Sequence, residues 1–263
     1  MNFKSNKLTK FTIFILFLVL SMLVFSFAEE KNDPEAEKII KKMESIVNLE
    51  NTDVTAEMIF LQQKSGEPDK LFKTRYYRRD KDNAFVIIFL EPDSEKGKGY
   101  LRIGDNLYMY MPATREFIHK NRKENVGSTD AKAENFESKK TLDLYYVKKL
   151  PNAIVNKADC FVIELKAKQM DVSYPIQKWY IRTSDYILMK QEAFSLSGTL
   201  MQVTYYVKYM PIKGGKFFMT KFMTEDKIEG SRTWVTVDEK TVSFAPIPDY
   251  VFTKAFLEQQ SKQ

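Results

Sequence analysis

The stretch from Gly99 to Lys120, GYLRIGDNLYMYMPATREFIHK, constrains the fold more than any other part of the chain. It holds three short apolar runs parted by two turn signals, Gly104-Asp105-Asn106 and Pro112-Ala113-Thr114. Short runs rich in aromatic and aliphatic residues, cut by Gly, Asn, Asp and Pro, predict a tight antiparallel meander. Strand side chains alternate, so Leu107, Met109 and Met111 share one face while Tyr108 and Tyr110 share the other. Both faces are substantially apolar. Such a sheet needs cover, and the remaining sequence has to supply it.

Period-two patterning recurs on both sides of this stretch. Val54, Ala56, Met58 and Phe60 alternate with Thr55, Glu57, Ile59 and Leu61. After the turn Gly66-Glu67-Pro68-Asp69, Phe72, Thr74 and Tyr76 share a face opposite Lys73, Arg75 and Tyr77. Ala84 to Leu90 runs without a polar break, which predicts a strand buried on both faces. From Asp159 onward the strands Asp159–Lys166, Ile176–Arg182, Ile187–Phe194, Leu200–Met210, Lys216–Thr224 and Ser231–Thr241 follow with no helix between them. Regular strand spacing of this kind predicts one large antiparallel sheet or barrel.

Three segments read as helical cover. Asp33-Pro34 opens the first, and Ile39, Ile40, Met43, Ile46, Val47 and Leu49 form its apolar stripe over Glu35–Leu49. Thr141–Leu150 reads as a short helix in preference to a strand. Val251–Gln260 carries Val251, Phe252, Ala255, Phe256 and Leu257 on one side. Pro151 to Lys157 reads as a linker. Asn121 to Lys140, rich in Lys, Glu, Asn and Ser, reads as a mobile surface loop that would let the middle cover swing.

The chemistry on offer is narrow. The chain holds one histidine, His119, so a His-rich metal site is excluded and a Ser-His-Asp triad would depend on that residue alone. No phosphate-binding, dinucleotide-binding or nucleophile-elbow motif occurs. Asp and Glu cluster with Lys in the loops, as on a solvated surface. No catalytic residue, metal or cofactor is expected, and the protein reads as a non-enzyme. Cys160 is the single cysteine, which rules out an intramolecular disulfide; it sits beside Phe161-Val162-Ile163 and reads as a small core residue.

With 20 Phe, 14 Tyr and 12 Met, the sheet could enclose either a filled aromatic core or a lipid-sized cavity. A long acyl chain gains roughly 0.8 kcal/mol per buried CH₂, so such a cavity needs no specific polar contact. The residues expected to line it are Met58, Phe60, Phe72, Tyr76, Val203, Tyr205 and Val207, each on an apolar strand face with polar neighbours behind.

The N-terminus carries Lys4, Lys7 and Lys10 ahead of an apolar run, Phe11 to Phe27, and then the small-x-small site Ser26-Phe27-Ala28. This is the pattern of a secretory signal peptide; a retained anchor is the alternative. Residues 1–28 are then the signal and 29–263 a single exported domain. Loss of those three lysines reduces the formal charge from +6 to about +3. That excess is too mild to indicate a nucleic-acid partner.

The first motif resembles the outer-membrane lipoprotein-sorting protein family, the LolA/LolB-like group. The resemblance rests on Leu101-Arg102-Ile103-Gly104-Asp105, Asn106-Leu107-Tyr108-Met109-Tyr110 and Pro112-Ala113-Thr114-Arg115. It is supported by Gly230-Ser231-Arg232-Thr233 and by the C-terminal run from Ile247 to Leu257. The segment from Gly127 to Tyr145 departs from the family pattern. The resemblance implies a mainly β fold with helices, an incomplete, strongly curved antiparallel barrel (a half-barrel) with a helical lid. It also implies a monomeric periplasmic carrier that binds the acyl chains of lipoproteins, or other lipids, and moves them toward the outer membrane. An inner-membrane transporter and an outer-membrane acceptor are the implied partners. The alternative within the same fold is a sensor or scaffold module that binds a protein partner or assists a lipid-exporting transporter.

N-terminal sequencing of the exported protein should begin at Glu29. A retained apolar segment would instead leave the protein tethered to a membrane.

Overall fold

Asp33 caps the first helix, its carboxylate accepting the backbone N–H groups of Glu35 and Ala36 at 2.9 and 3.3 Å. The computed structural model describes residues 31–261 apart from 122, 139 and 171, so the expected signal segment lies outside the described residues. Asn32–Gln263 forms one compact unit. Helix α1 (Pro34–Val47) buries Ala36, Ile39, Ile40, Met43 and Ile46, the stripe its spacing predicts.

Thirteen strands follow. The first six are β1 (Asp53–Lys64), β2 (Lys70–Arg79), β3 (Ala84–Glu91), β4 (Gly99–Ile103), β5 (Asn106–Met111) and β6 (Glu116–Lys120). The rest are β7 (Tyr145–Val155), β8 (Ala158–Ala167), β9 (Ile176–Arg182), β10 (Leu188–Phe194), β11 (Leu200–Ile212), β12 (Lys216–Asp226) and β13 (Ser231–Ser243). They form one antiparallel sheet in the order β6-β5-β4-β3-β2-β1-β13-β12-β11-β10-β9-β8-β7. Every ladder joins strands consecutive in sequence except β1–β13, where the two halves of the chain meet, and the consecutive strands β6 and β7 lie at opposite edges. Edges β6 and β7 are not joined by a ladder among the described residues, so the sheet curls without closing into a barrel. Its curl shows in the core: Leu107 of β5 and Leu165 of β8 belong to one buried cluster.

The meander forms as its pattern predicts. Gly104 takes φ +57° in the two-residue β4–β5 connection, where a left-handed first position suits the twist of a hairpin. Leu107 faces the main inner cluster, and Tyr110 the opposite side. Strand β3 is buried on both faces. Phe85, Ile87 and Phe89 point into the inner cluster, and Ala84, Val86 and Ile88 into a second, outer one.

The outer cluster is completed by the C-terminus. A 3₁₀ turn at Asp249–Phe252 and helix α3 (Lys254–Gln260) bring Val251, Phe252, Phe256 and Leu257 onto β3 and β4. Gly99 permits this approach, since a Cβ there would lie 2.3 Å from Leu257 Cδ1. Arg79 fastens the segment. It donates to Asp53 at 2.9 Å, to Asp249 at 2.6 Å and to the carbonyl of Ile247, with its guanidinium 4.7 Å from the Phe252 ring centre.

Four expectations need correction. Thr141–Leu150 is not a helix: one turn, α2 (Thr141–Leu144), leads straight into β7, because Tyr145, Val147 and Lys149 pair with β8. Pro151 to Lys157 is not a linker but the end of β7 and its hairpin turn to β8. The three covers do not share one face either, since α1 lies on the inner face and α3 on the outer. Asn121–Lys140 is not a surface loop throughout: Val126, Ala131, Ala133 and Phe136 are buried in the inner cluster.

Burial alone would raise the Asp53 carboxyl, but hydrogen bonds from Arg79 and from the Ile247 N–H hold it below its usual value. A carboxylate depressed in the folded state contributes stability above its ordinary pKa and loses it as the pH falls through the folded value. Asp53→Asn should therefore cost roughly 2 kcal/mol near neutral pH. The gap to wild type in urea denaturation should close as the pH drops below the usual carboxylate range. A gap independent of pH would contradict this account of the clasp.

Candidate functional site on the inner face of the sheet

The inner face of β1–β3 is aromatic and dry. Met58, Phe60, Phe72 and Tyr76 are at most 4% exposed, on the face their alternation assigns them. What covers them is the segment expected to be mobile. Val126, Ala131, Ala133 and Phe136 are all buried in the same cluster. Phe136 is central: its ring centre lies 5.7 Å from Phe60, 5.9 Å from Tyr76, 6.4 Å from Phe85 and 6.1 Å from Phe222. Lys123 to Lys132 carries few apolar residues, so hydrophobicity gave little sign of this; Phe136 is the one aromatic residue between Asn121 and Lys140.

A loop placed in a core must satisfy its backbone, and here the sheet provides the partners. The Tyr76 hydroxyl donates to the Phe136 carbonyl at 2.6 Å. Gly127, at φ +63°, donates its N–H to the Tyr100 hydroxyl at 2.8 Å. Asp130 accepts from the Ser231 and Thr233 hydroxyls at 2.6 and 2.8 Å, and its carbonyl accepts from Gln202 Nε2 at 3.1 Å. Glu137 pairs with Arg102 at 2.7 Å, where the arginine side chain is only 1% exposed. Burial, against the opposing pull of Arg78, pushes the Tyr76 phenol well above its usual pKa, so it stays a donor.

The expected site residues therefore divide. Met58, Phe60, Phe72 and Tyr76 come together, but around a filled space: the void touching Met58 and Tyr76 is about 20 Å³. Val203, Tyr205 and Val207 do not join them. On β11 the inward side chains are Gln202, Thr204 and Tyr206, so the apolar set faces out. Val207 is 54% exposed, and the Lys190 ammonium lies over the Tyr205 ring at 5.7 Å. Hydrophobicity misassigned this strand because its inward polar groups are satisfied internally: Thr204 donates to Thr224 at 3.1 Å and Tyr206 to Gln191 at 3.0 Å. Bulges around Lys208 then change the alternation, so that Tyr209 packs against the core as Tyr206 does.

A larger cavity of about 290 Å³ lies beside the filled region, between residues 134–145 and the inner face of β9 and β10. Its walls include Arg102, Glu137, Thr141, Gln177, Trp179 and Gln191. A void of about 50 Å³, bounded by Met43, Arg78, Tyr206 and Met219, lies between the two. Asn135 borders all three spaces. The 3₁₀ turn Ala133–Phe136 is thus the partition between a polar cavity and an apolar one.

His119 lies at an exposed strand end, with Nε2 3.3 Å from Asn106 Oδ1. Cys160 is buried, and burial pushes its thiol pKa up. Among the described residues no cluster of three His, Cys, Asp or Glu could hold a metal ion, and no helix is long and apolar enough to cross a membrane.

This mainly β chain, with an antiparallel sheet that does not close into a barrel, has the LolA/LolB-like fold. A family model described as "Uncharacterized protein" matches residues 81–259, and the chain belongs to that family. The fold is similar to that of an outer membrane lipoprotein-sorting protein domain from Vibrio parahaemolyticus (TM-score 0.77, 16% identity, 85% of this chain and 98% of that one). It is also similar to a LolA superfamily protein from Nitrosomonas europaea (0.71, 20%, 84% and 98%). A DUF1329 family protein from Desulfovibrio piger aligns equally well (0.77, 17%, 86% and 99%). No curated protein sequence matches the chain.

Phe136→Ala removes the ring on which four inner-face aromatics converge and should cost about 3–4 kcal/mol in urea denaturation. Val207→Ser, on the outer face, should change stability by less than about 0.5 kcal/mol. Comparable losses from the two would contradict the assignment of faces.

Proposed function

We propose that this protein is an exported, periplasmic carrier that binds the acyl chains of lipoproteins or other lipids and moves them toward the outer membrane. It has no catalytic role in this reading, and acts as a monomer after removal of residues 1–28. The observation that carries the reading is the filling of the inner face. Met58, Phe60, Phe72 and Tyr76 are covered by a loop segment rather than by strand side chains from across the sheet. A segment with no regular secondary structure beyond one 3₁₀ turn, held by Phe136, three smaller buried apolar residues and its polar anchors, can leave as a unit at a cost below global unfolding. Its departure would open onto one another the three spaces that border Asn135. Acyl burial, at roughly 0.8 kcal/mol per CH₂, would then replace the contacts of Phe136.

Such a carrier receives cargo from an inner-membrane transporter and delivers it to an outer-membrane acceptor. Val203, Tyr205 and Val207, on the outer face, have no part in holding the chains.

Native mass spectrometry of protein purified without detergent should show co-purified lipid or acylated peptide. Amide exchange should place the change: the Val126 N–H, which donates to the Ala131 carbonyl at 2.8 Å, should exchange faster when lipid is bound. Strand β1 should be unaffected. Protection of residues 123–138 equal to that of β1, with or without lipid, would make the segment permanent core and favour a scaffold on the same fold.

A further inference from the structure

The 290 Å³ cavity has a wall whose hydrogen-bonding capacity is one-sided. Gln177 Oε1 accepts from Trp179 Nε1 at 2.8 Å and from Gln191 Nε2 at 2.7 Å, which uses both lone pairs. Gln191 Oε1 accepts from the Tyr206 hydroxyl at 3.0 Å. Gln177 Nε2 donates one proton to the Tyr145 hydroxyl at 2.7 Å, and that hydroxyl donates onward to the Tyr174 carbonyl at 3.1 Å. Both amides are thereby held in one orientation, with an acceptor side that is largely spent. Each keeps a second N–H.

Thr141 adds to this. The residue is 3% exposed and borders the cavity, and its hydroxyl has no hydrogen-bond partner. Buried polar groups are rarely left so, and one at a cavity wall implies that something in the cavity completes it. Leu144, Val172 and the Trp179 ring supply apolar wall beside these donors. Charged residues, among them Arg102, Glu137 and Lys140, line other parts of the cavity, but the wall formed by Gln177, Gln191 and Thr141 is uncharged and rich in donors, which with its apolar flanks suits carbonyl acceptors attached to hydrocarbon.

We propose that this cavity is the subsite for the ester or amide carbonyls that link acyl chains to the polar part of the cargo. The inference rests on the carrier reading above and refines it. The chains occupy the space vacated by Phe136, and the linkage carbonyls sit past Asn135, accepting from Gln177, Gln191 and Thr141. The linkage would thus be recognised and the head group left outside, which admits cargo of differing head groups.

The chain has two tryptophans, and Trp234 lies over the Lys221 ammonium, away from the cavity. In a Trp234→Phe background, Trp179 alone reports on the site. The purified protein is titrated with dioctanoylglycerol and with the dioctyl ether of glycerol, which has near-equal chains but no carbonyls. The ester should bind about tenfold more tightly and change Trp179 emission. Gln191→Leu should bring the ratio close to one. Thr141→Val removes a hydroxyl with no partner in the fold, so it should remain folded and should reduce the ratio at least twofold. Equal affinities for ester and ether would overturn the linkage subsite while leaving the carrier reading standing. An unchanged ratio in a folded Thr141→Val or Gln191→Leu variant would do the same. Failure of both lipids to bind would overturn the carrier reading and this inference together.

Discussion

The packing of Phe136 against Phe60, Tyr76, Phe85 and Phe222 is the contact on which the inner face depends. An open, curled sheet of thirteen strands has more inner surface than one fourteen-residue helix can cover. Helix α1 reaches β12 and β7 and leaves the aromatic floor of β1–β3 to be covered by something else. A polar segment does this with four buried apolar side chains, and the sheet supplies inward-facing polar side chains to meet its backbone. Thr233 and Gln202 with the N–H and carbonyl of Asp130, Tyr76 with the Phe136 carbonyl and Tyr100 with the Gly127 N–H are all of this kind. The apolar floor and its polar fasteners therefore form one unit.

The inner face is also divided along the sheet. Strands β1–β3 present aromatic and aliphatic side chains, while β9–β11 present Gln177, Gln191, Gln202 and Thr204 among Trp179 and Tyr206. Arg102 and Glu137 stand near the boundary, their ion pair bordering the polar cavity. Breaking a buried pair by removing one partner is expensive, so these residues hold the partition in place while the cavity beside it remains open. A lining of this composition matches an amphiphile better than a plain hydrocarbon.

The outer face is handled differently in its two halves. Over β3 and β4 the C-terminal segment supplies an apolar cover, clasped by Arg79. On β9–β13, lysines lie across aromatic rings. Lys190 lies over Tyr180 and Tyr205, and Lys221 over Trp234. Their aliphatic stems shield apolar surface while the ammonium groups stay near water. This is how an aromatic residue such as Tyr205 can sit on the outside of the sheet without marking its core, whereas Val203 on the same face is buried.

Local patterning determined much of the structure. The alternation in β1 and β2, the unbroken run of β3, the turn residues of the meander and the Asp33-Pro34 cap each specify conformation through neighbours a few residues away. All of them formed as the sequence implies, and the order of the strands followed. Of the seven residues expected to line a cavity, Met58, Phe60, Phe72 and Tyr76 share the inner face for the same reason, around a space that is filled. Tertiary structure decided the rest. A buried Gln202 or Thr204 is indistinguishable from a surface residue until its partner is brought from another strand or from Asp130, so β11 read inside out. One-residue bulges, which no propensity marks, altered its register further. Whether Thr141–Leu150 became helix or strand was settled by the availability of β8 for pairing. The polar segment after Asn121 became core because the curl of the sheet left a hollow only such a segment could fill.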